Sequence, residues 1–137
     1  MKLDDIKVNS AVIEAGEWVT KIPELEDLEL RVRGVGNADY RKLQAQLIRS
    51  LPRSKRADGA IDPADSDDIQ TRLLLDTVLL DWRGLTDANG AAIPYSRDLA
   101  EKLLTDPDFT RFREAVAFAG SVAGQRATAE LEADAKN

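Results

Sequence analysis

With no His and no Cys, this 137-residue chain has only Ser, Thr, Tyr, Lys, Arg and carboxylates with which to do chemistry. The usual general base, the thiolate nucleophile, CxxC-type redox or zinc motifs and the commonest transition-metal ligand are therefore missing. Asp58, Asp62, Asp65, Asp67 and Asp68 form a cluster, and several carboxylate oxygens together can hold a hard cation. Their spacing lacks the glycine and closing Glu of an EF-hand loop, and Asp62-Pro63 reads more simply as a helix start with acids in its first turns. Asp87, Asn89 and Gly90 offer too few ligands for a cation loop and suit a tight turn. Asp76 and Asp81 are the carboxylates embedded in an apolar segment, where burial could separate two pKa values for acid and base work. Five positions on a helix turn them about 140° apart, so they face no common point. Gly34-x-Gly36 lacks the third glycine and the βαβ surroundings of a dinucleotide loop, and serves better as a strand-to-helix turn. The sequence thus offers no catalytic, cofactor or metal residues, and the expectation is a protein that is not an enzyme.

Charge is unevenly spread. The chain carries −6 overall, yet residues 31–56 hold eight basic residues and one acid, +7, which leaves −13 on the rest. Arg49, Arg53, Lys55 and Arg56 are the densest basic run. Phosphate neutralisation is one use for such a run. No aromatic interleaves for base stacking, and acids follow from Asp58, so nucleic acid is disfavoured and a solvated helix end or an acidic protein partner fits better. The longest charge-free stretch, Ala115 to Gln125, is far short of the ~20 apolar residues of a membrane span. The acids at 4, 5, 14 and 17 interrupt any signal-peptide pattern, so the chain is expected to stay in the cytoplasm where it is made.

The elements that must carry these residues are mostly helical. At this size folding buries roughly 68% of the chain's surface, enough for a core without staples. Residues 1–16 read as a loose arm with a short strand near Ala11 to Ile13. Glu17 to Ile22 and Leu28 to Arg33 alternate polar with apolar, so they form a hairpin with Leu28, Leu30 and Val32 on one face. Asn37 caps a helix carrying Tyr40, Leu43, Leu47, Ile48 and Leu51. A second, central helix runs from Pro63 to about Arg83 with Trp82 buried at its end, because its apolar residues cover most of its circumference. Ser96 caps a third helix, and Asp106-Pro107 opens a fourth whose stripe is Phe109, Phe112, Val116, Ala119 and Ala123. The predicted class is α+β, mainly helical, with about four helices and an N-terminal β-hairpin. Its divisions are an arm (1–16), one globular domain (17–124) and a charged, alanine-rich tail (125–137). Small residues four apart at Gly120 and Gly124 permit close helix approach, by default within the molecule and alternatively in a homo-oligomer.

Several blocks together resemble a known family. They are Glu17-Trp18-Val19 through Ile22-Pro23, Leu30-Arg31-Val32-Arg33-Gly34 with Asn37-Ala38-Asp39-Tyr40, and Leu79 through Asp87 with its Asn-Gly turn. Ile93-Pro94-Tyr95-Ser96 and Leu103-Leu104 ahead of Asp106-Pro107-Asp108-Phe109 follow in order. Over roughly residues 17–120 the chain looks like the tail assembly chaperones of long-tailed, siphovirus-type bacteriophages and prophages. The resemblance implies a small non-catalytic protein that binds the tape measure protein, keeps it soluble and helps tail tube subunits polymerise around it, leaving before the virion is complete. In many relatives a ribosomal frameshift adds a domain that recruits tail tube protein, and this chain corresponds to the short form. No binding residue is carried over from the family. On physical grounds the partner-binding candidates are the apolar sides around Tyr40, Leu43 and Leu47 or around Phe112 and Val116, since the second helix is consumed by the core. A structural head, neck or tail component retained in the virion is the alternative, and a DNA-contacting factor built on residues 49–56 a weaker one.

Overall fold

Leu28, Leu30 and Val32 are buried while Arg31 between them is exposed, the alternation expected of a strand with one wet face. Residues 1–55 and 59–125 are described by the computed structural model. Strands β1 (Glu17–Val19) and β2 (Glu29–Val32) pair antiparallel as the hairpin, with Trp18 opposite Arg31 and Val19 opposite Leu30. A third strand, β3 (Leu79–Arg83), pairs antiparallel on the other side of β2, so β2 is central. Among the described residues there are five α-helices: α1 (Ser10–Ala15), α2 (Ala38–Arg49), α3 (Pro63–Leu73), α4 (Arg97–Thr105) and α5 (Thr110–Val122). The fold is α+β and mostly helical, with one helix and one strand more than the sequence suggests.

Two elements differ from expectation. The expected strand near Ala11 to Ile13 is the helix α1, capped by the Asn9 side chain accepting from the Val12 amide. Its root is tied down, because the Asn9 amide donates to the Gly124 carbonyl and the Gly34 amide to that of Ile13. The long central helix is also shorter than its apolar run. It ends at Leu73, passes through a buried π turn (Leu74–Val78) and becomes β3. An apolar run without clear periodicity suits a buried helix or a buried strand, and the free edge of a marginal hairpin settles the choice. Trp82 is buried as expected, but on a strand: it faces inward opposite Leu30, donates from Nε1 to the Ile93 carbonyl at 2.8 Å, and meets Tyr95 and Phe112 edge to face. The outer face of the sheet carries Arg83, paired with Glu29 at 2.7 Å and stacked 4.1 Å from the Trp18 ring centroid.

The caps read from the sequence are present. Asp62, Ser96 and Asp106 each accept a backbone amide at the start of a helix or turn. Asp65 pairs with Lys55, and Asp67 with Arg113, so these members of the acidic cluster are engaged; Asp58 lies outside the described residues. The Arg113 guanidinium, most of it buried, also donates to the Leu104 carbonyl and to Thr71, joining α5 to α4 and α3. Phe109 departs from the predicted stripe. It sits in a 3-10 turn (Pro107–Phe109) ahead of α5 and is exposed, whereas Phe112, Val116, Ala119 and Ala123 are buried. Gly120 explains the small-residue pattern: a Cβ there would lie 2.9 Å from Val35 and 3.0 Å from Val78, so the close approach is intramolecular. Of the predicted tail, residues 126–137 lie outside the described residues.

Asn37 does more than cap. Fully buried, it accepts the Tyr40 amide through Oδ1 at 2.8 Å and donates through Nδ2 to the carbonyls of Gly34 and of Thr77, 40 residues away. Asn37→Ala should cost ~2–4 kcal/mol in a urea melt, since a cap is lost and two buried carbonyls are orphaned. Asn37→Asp keeps the acceptor but sets a carboxylate against those carbonyls, so it should be no more stable than the alanine variant. Recovery to within about 0.5 kcal/mol of wild type would reduce the role of Asn37 to the cap alone.

Candidate binding groove

Where β2 begins and β3 ends, the chain closes tightly. Gly84 has φ +86°, and a Cβ there would stand 1.9 Å from the Asp27 carbonyl oxygen, so only glycine fits. This contact draws the β1–β2 loop against the segment after β3. Between them and the start of α5 lies a cavity of about 430 Å³, with Leu25, Leu28, Leu85, Leu103, Phe109 and Phe112 among its walls. A neighbouring hollow of about 300 Å³ shares Glu24, Leu25 and Arg111 and continues along α5 as far as Phe118. The two form one apolar trough with Phe109 and Phe118, 40% and 37% exposed, along one side. Its borders bear five acids, Glu24, Glu26, Asp27, Asp108 and Glu114, against the single base Arg111.

The loop that forms one wall is conformationally strained. Lys21 and Glu24, at φ +57° and +68°, are non-glycine residues in the left-handed region on either side of Ile22-Pro23. Such geometry costs on the order of 1–2 kcal/mol per residue and persists only where packing enforces it. Buried Ile22 and the Leu25 amide bonded to the Ile22 carbonyl supply that enforcement and leave Leu25 directed at the trough.

The residues expected to bind a partner are not together. Phe112 and Val116 are buried rather than forming an open side of their helix, because α5 turns this stripe onto the sheet and the π turn; Phe112 touches the trough from below. Tyr40, Leu43 and Leu47 are half-buried on α2, which lies against α3 and the π turn at the other end of β2. Leu25 and Leu85 were missed by periodicity, since each lies in a turn or loop where spacing carries no signal, whereas spacing put Phe109 in the stripe of the fourth helix and the Asp106-Pro107 turn leaves it exposed ahead of α5. The basic segment is partly neutralised: Arg33 donates to the Glu14 carbonyl and pairs with Asp39 at 2.8 Å. Arg41, Lys42, Arg49 and Arg53 are exposed, and Arg56 lies outside the described residues.

Residues 35–137 match the profile of a family described as YdaY prophage protein. The chain belongs to this family. No curated protein and no solved structure was found to match it. The match makes this a prophage-derived protein, and it starts after β2. One wall of the trough, from Leu85, Leu103 and Phe109, thus falls inside the matched region, while Leu25 and Leu28 fall before it.

In this YdaY-family protein the two carboxylates considered for acid and base work are held apart. Asp81 accepts its neighbour's amide on β3. Partial burial pushes the Asp76 carboxyl up, but the guanidinium groups of Arg97 and Arg72 outweigh this and hold it below the usual carboxylate value. That direction suits an ion pair joining α3's end to α4, and opposes a general acid. No helix among the described residues is long and apolar enough to cross a membrane. Because the folded-state pKa of Asp76 is lowered from 3.8, its stabilisation is present above that value and lost as pH falls through the folded value. Asp76→Asn should therefore be about 1 kcal/mol less stable than wild type at neutral pH, with the gap closing as pH falls below 3.8. A gap unchanged down to pH 2 in thermal melts would remove the ion pair from the account.

Proposed function

We propose that this protein is a non-catalytic tail assembly chaperone that acts in the host bacterial cytoplasm. It binds the tape measure protein, keeps it soluble and helps recruit tail tube protein, the latter through a frameshift-extended form. The observation that carries this reading is the apolar trough bordered by acids. Long helical segments of an unassembled partner have apolar seams in need of cover, and a helix-in-groove contact supplies it through anchors one turn apart. Phe109, Leu25 and Leu85 offer the apolar wall, the acidic border favours basic residues flanking the seam, and the net charge of −6 keeps the complex in solution. Prophage origin supports the phage setting.

Co-expression with the tape measure protein of the same prophage should move that protein into the soluble fraction, and the two should co-purify. Phe109→Asp, at a position already open to solvent, should abolish rescue while leaving the melting temperature within a few degrees of wild type. A tape measure protein that stays insoluble, or this chain found in finished virions, would put a structural particle component in place of the chaperone.

A further inference from the structure

Helix α2 turns a cationic face to solvent. Arg41, Lys42, Ala45, Gln46 and Arg49 are exposed and, at about 100° per residue, fall within roughly 140° of the helix circumference. Arg53 continues the row in the 3-10 turn (Arg53–Lys55) just beyond the helix. Among the described residues none of these four bases has an ion pair or a side-chain hydrogen bond, whereas Lys55 pairs with Asp65 and Arg33 with Asp39, the one acid of α2. On the adjoining α3 the acids without an ion pair are Asp62, whose carboxylate caps the helix, and Asp68. Four unpaired bases stand against these two.

A face of this composition suits phosphates rather than protein. Tyr40, Leu43, Leu47 and Ile48 are half-buried on the other side of α2, so no large apolar side chain of the helix is exposed. Protein–protein contacts centre on an apolar core, which this face lacks. Phosphate contacts need only Arg, Lys and polar donors such as Gln46. The lack of an interleaved aromatic, which in the sequence speaks against nucleic acid, excludes base stacking and with it the usual hold on a single strand. It leaves contact with the backbone of a duplex untouched. The overall charge of −6 is no bar either. The acids of the trough gather where β2 starts and α2 departs where β2 stops; the strand itself sets about 10 Å between them, more than the Debye length of about 8 Å at physiological salt.

We propose that α2 binds the phosphate backbone of double-helical DNA through Arg41, Lys42, Arg49 and Arg53, without reading its sequence. Arg41 and Arg49 stand about 12 Å apart along the helix axis, comparable with the width of the major groove, so the two engage phosphates on either side of it. Each phosphate neutralised releases counterions, which makes the contact weak at physiological salt and steeply salt-dependent. The surface is separate from the trough, and the inference uses neither the trough nor its partner.

Fluorescence anisotropy of a labelled duplex of about 20 base pairs, titrated with the full chain at low salt, should give a dissociation constant on the order of 10⁻⁵ M. Scrambling the duplex sequence should leave it unchanged. The logarithm of affinity should fall against the logarithm of salt with a slope of about −3.6, the value for four neutralised phosphates. Arg41→Gln with Arg49→Gln should weaken binding at least about tenfold and reduce the slope by about two, and Lys42→Gln alone should reduce it by about one. These side chains are exposed and unpaired, so the variants should keep the wild-type circular dichroism and melting temperature. Lys102→Gln removes an exposed, unpaired base on α4 and should bind like wild type, which separates this face from net charge. One strand of the duplex alone should bind about tenfold more weakly, and polyglutamate should not displace the duplex. Absence of binding at low salt, a double variant with the wild-type slope, or a Lys102→Gln effect as large as that of the double variant would each overturn the proposal. So would tighter binding of the single strand, or displacement by polyglutamate, which would give the face to an acidic protein. This titration and the tape measure rescue can fail independently.

Discussion

One buried amide fixes the relation between the two halves of this fold. Asn37, itself fully buried, holds the Gly34 carbonyl, the first turn of α2 and the Thr77 carbonyl in a single set of hydrogen bonds. Thr77 belongs to the π turn, whose own Oγ1 is bound to the Leu73 carbonyl. With Thr77 pinned, β3 enters the sheet at Leu79 opposite Val32, and a bulge beside Arg31 brings Trp82 opposite Leu30 on the inner face. A slip of one residue would turn Trp82 outward and Asp81 inward, at a cost no local contact could offset. Gly84 follows two residues later, where the Asp27 carbonyl leaves no room for a Cβ, and the trough opens there. The groove wall is thus set by an asparagine at the far end of the sheet.

That dependence also explains what the sequence could reveal. Side chains acting within a few residues of themselves were legible: the alternation of Leu28 to Val32, the Asn37, Asp62, Ser96 and Asp106 caps, and the turn at Asp87, whose carboxylate accepts the amides of Asn89 and Ala91. The run from Leu73 to Trp82 was legible as buried but not as helix then strand, because an all-round apolar segment has no period to read and its switch is dictated by Thr77 meeting Asn37 across 40 residues. Asn37 itself showed only its capping half. The arm's helix α1 was hidden for a similar reason: six residues are too few to be helical alone, and the Gly34 and Gly124 backbones that hold them are distant in sequence. Of the candidate site, Phe112 was found by its stripe, but as an open face. The exposed Phe109 was placed in that stripe by spacing, when the Asp106-Pro107 turn rotates it out.

The uneven charge acquires a geometry in the folded chain. Exposed Arg41, Lys42, Arg49 and Arg53 lie on or beyond α2, which leaves the sheet at the end where β2 stops. The acids bordering the trough gather at the end where β2 starts. A molecule polarised along one strand orients an approaching charged partner before contact, an effect on encounter rates that reaches about a Debye length. The acidic border of the trough and the basic face beyond α2 thus present opposite charge to whatever approaches the two ends of the sheet.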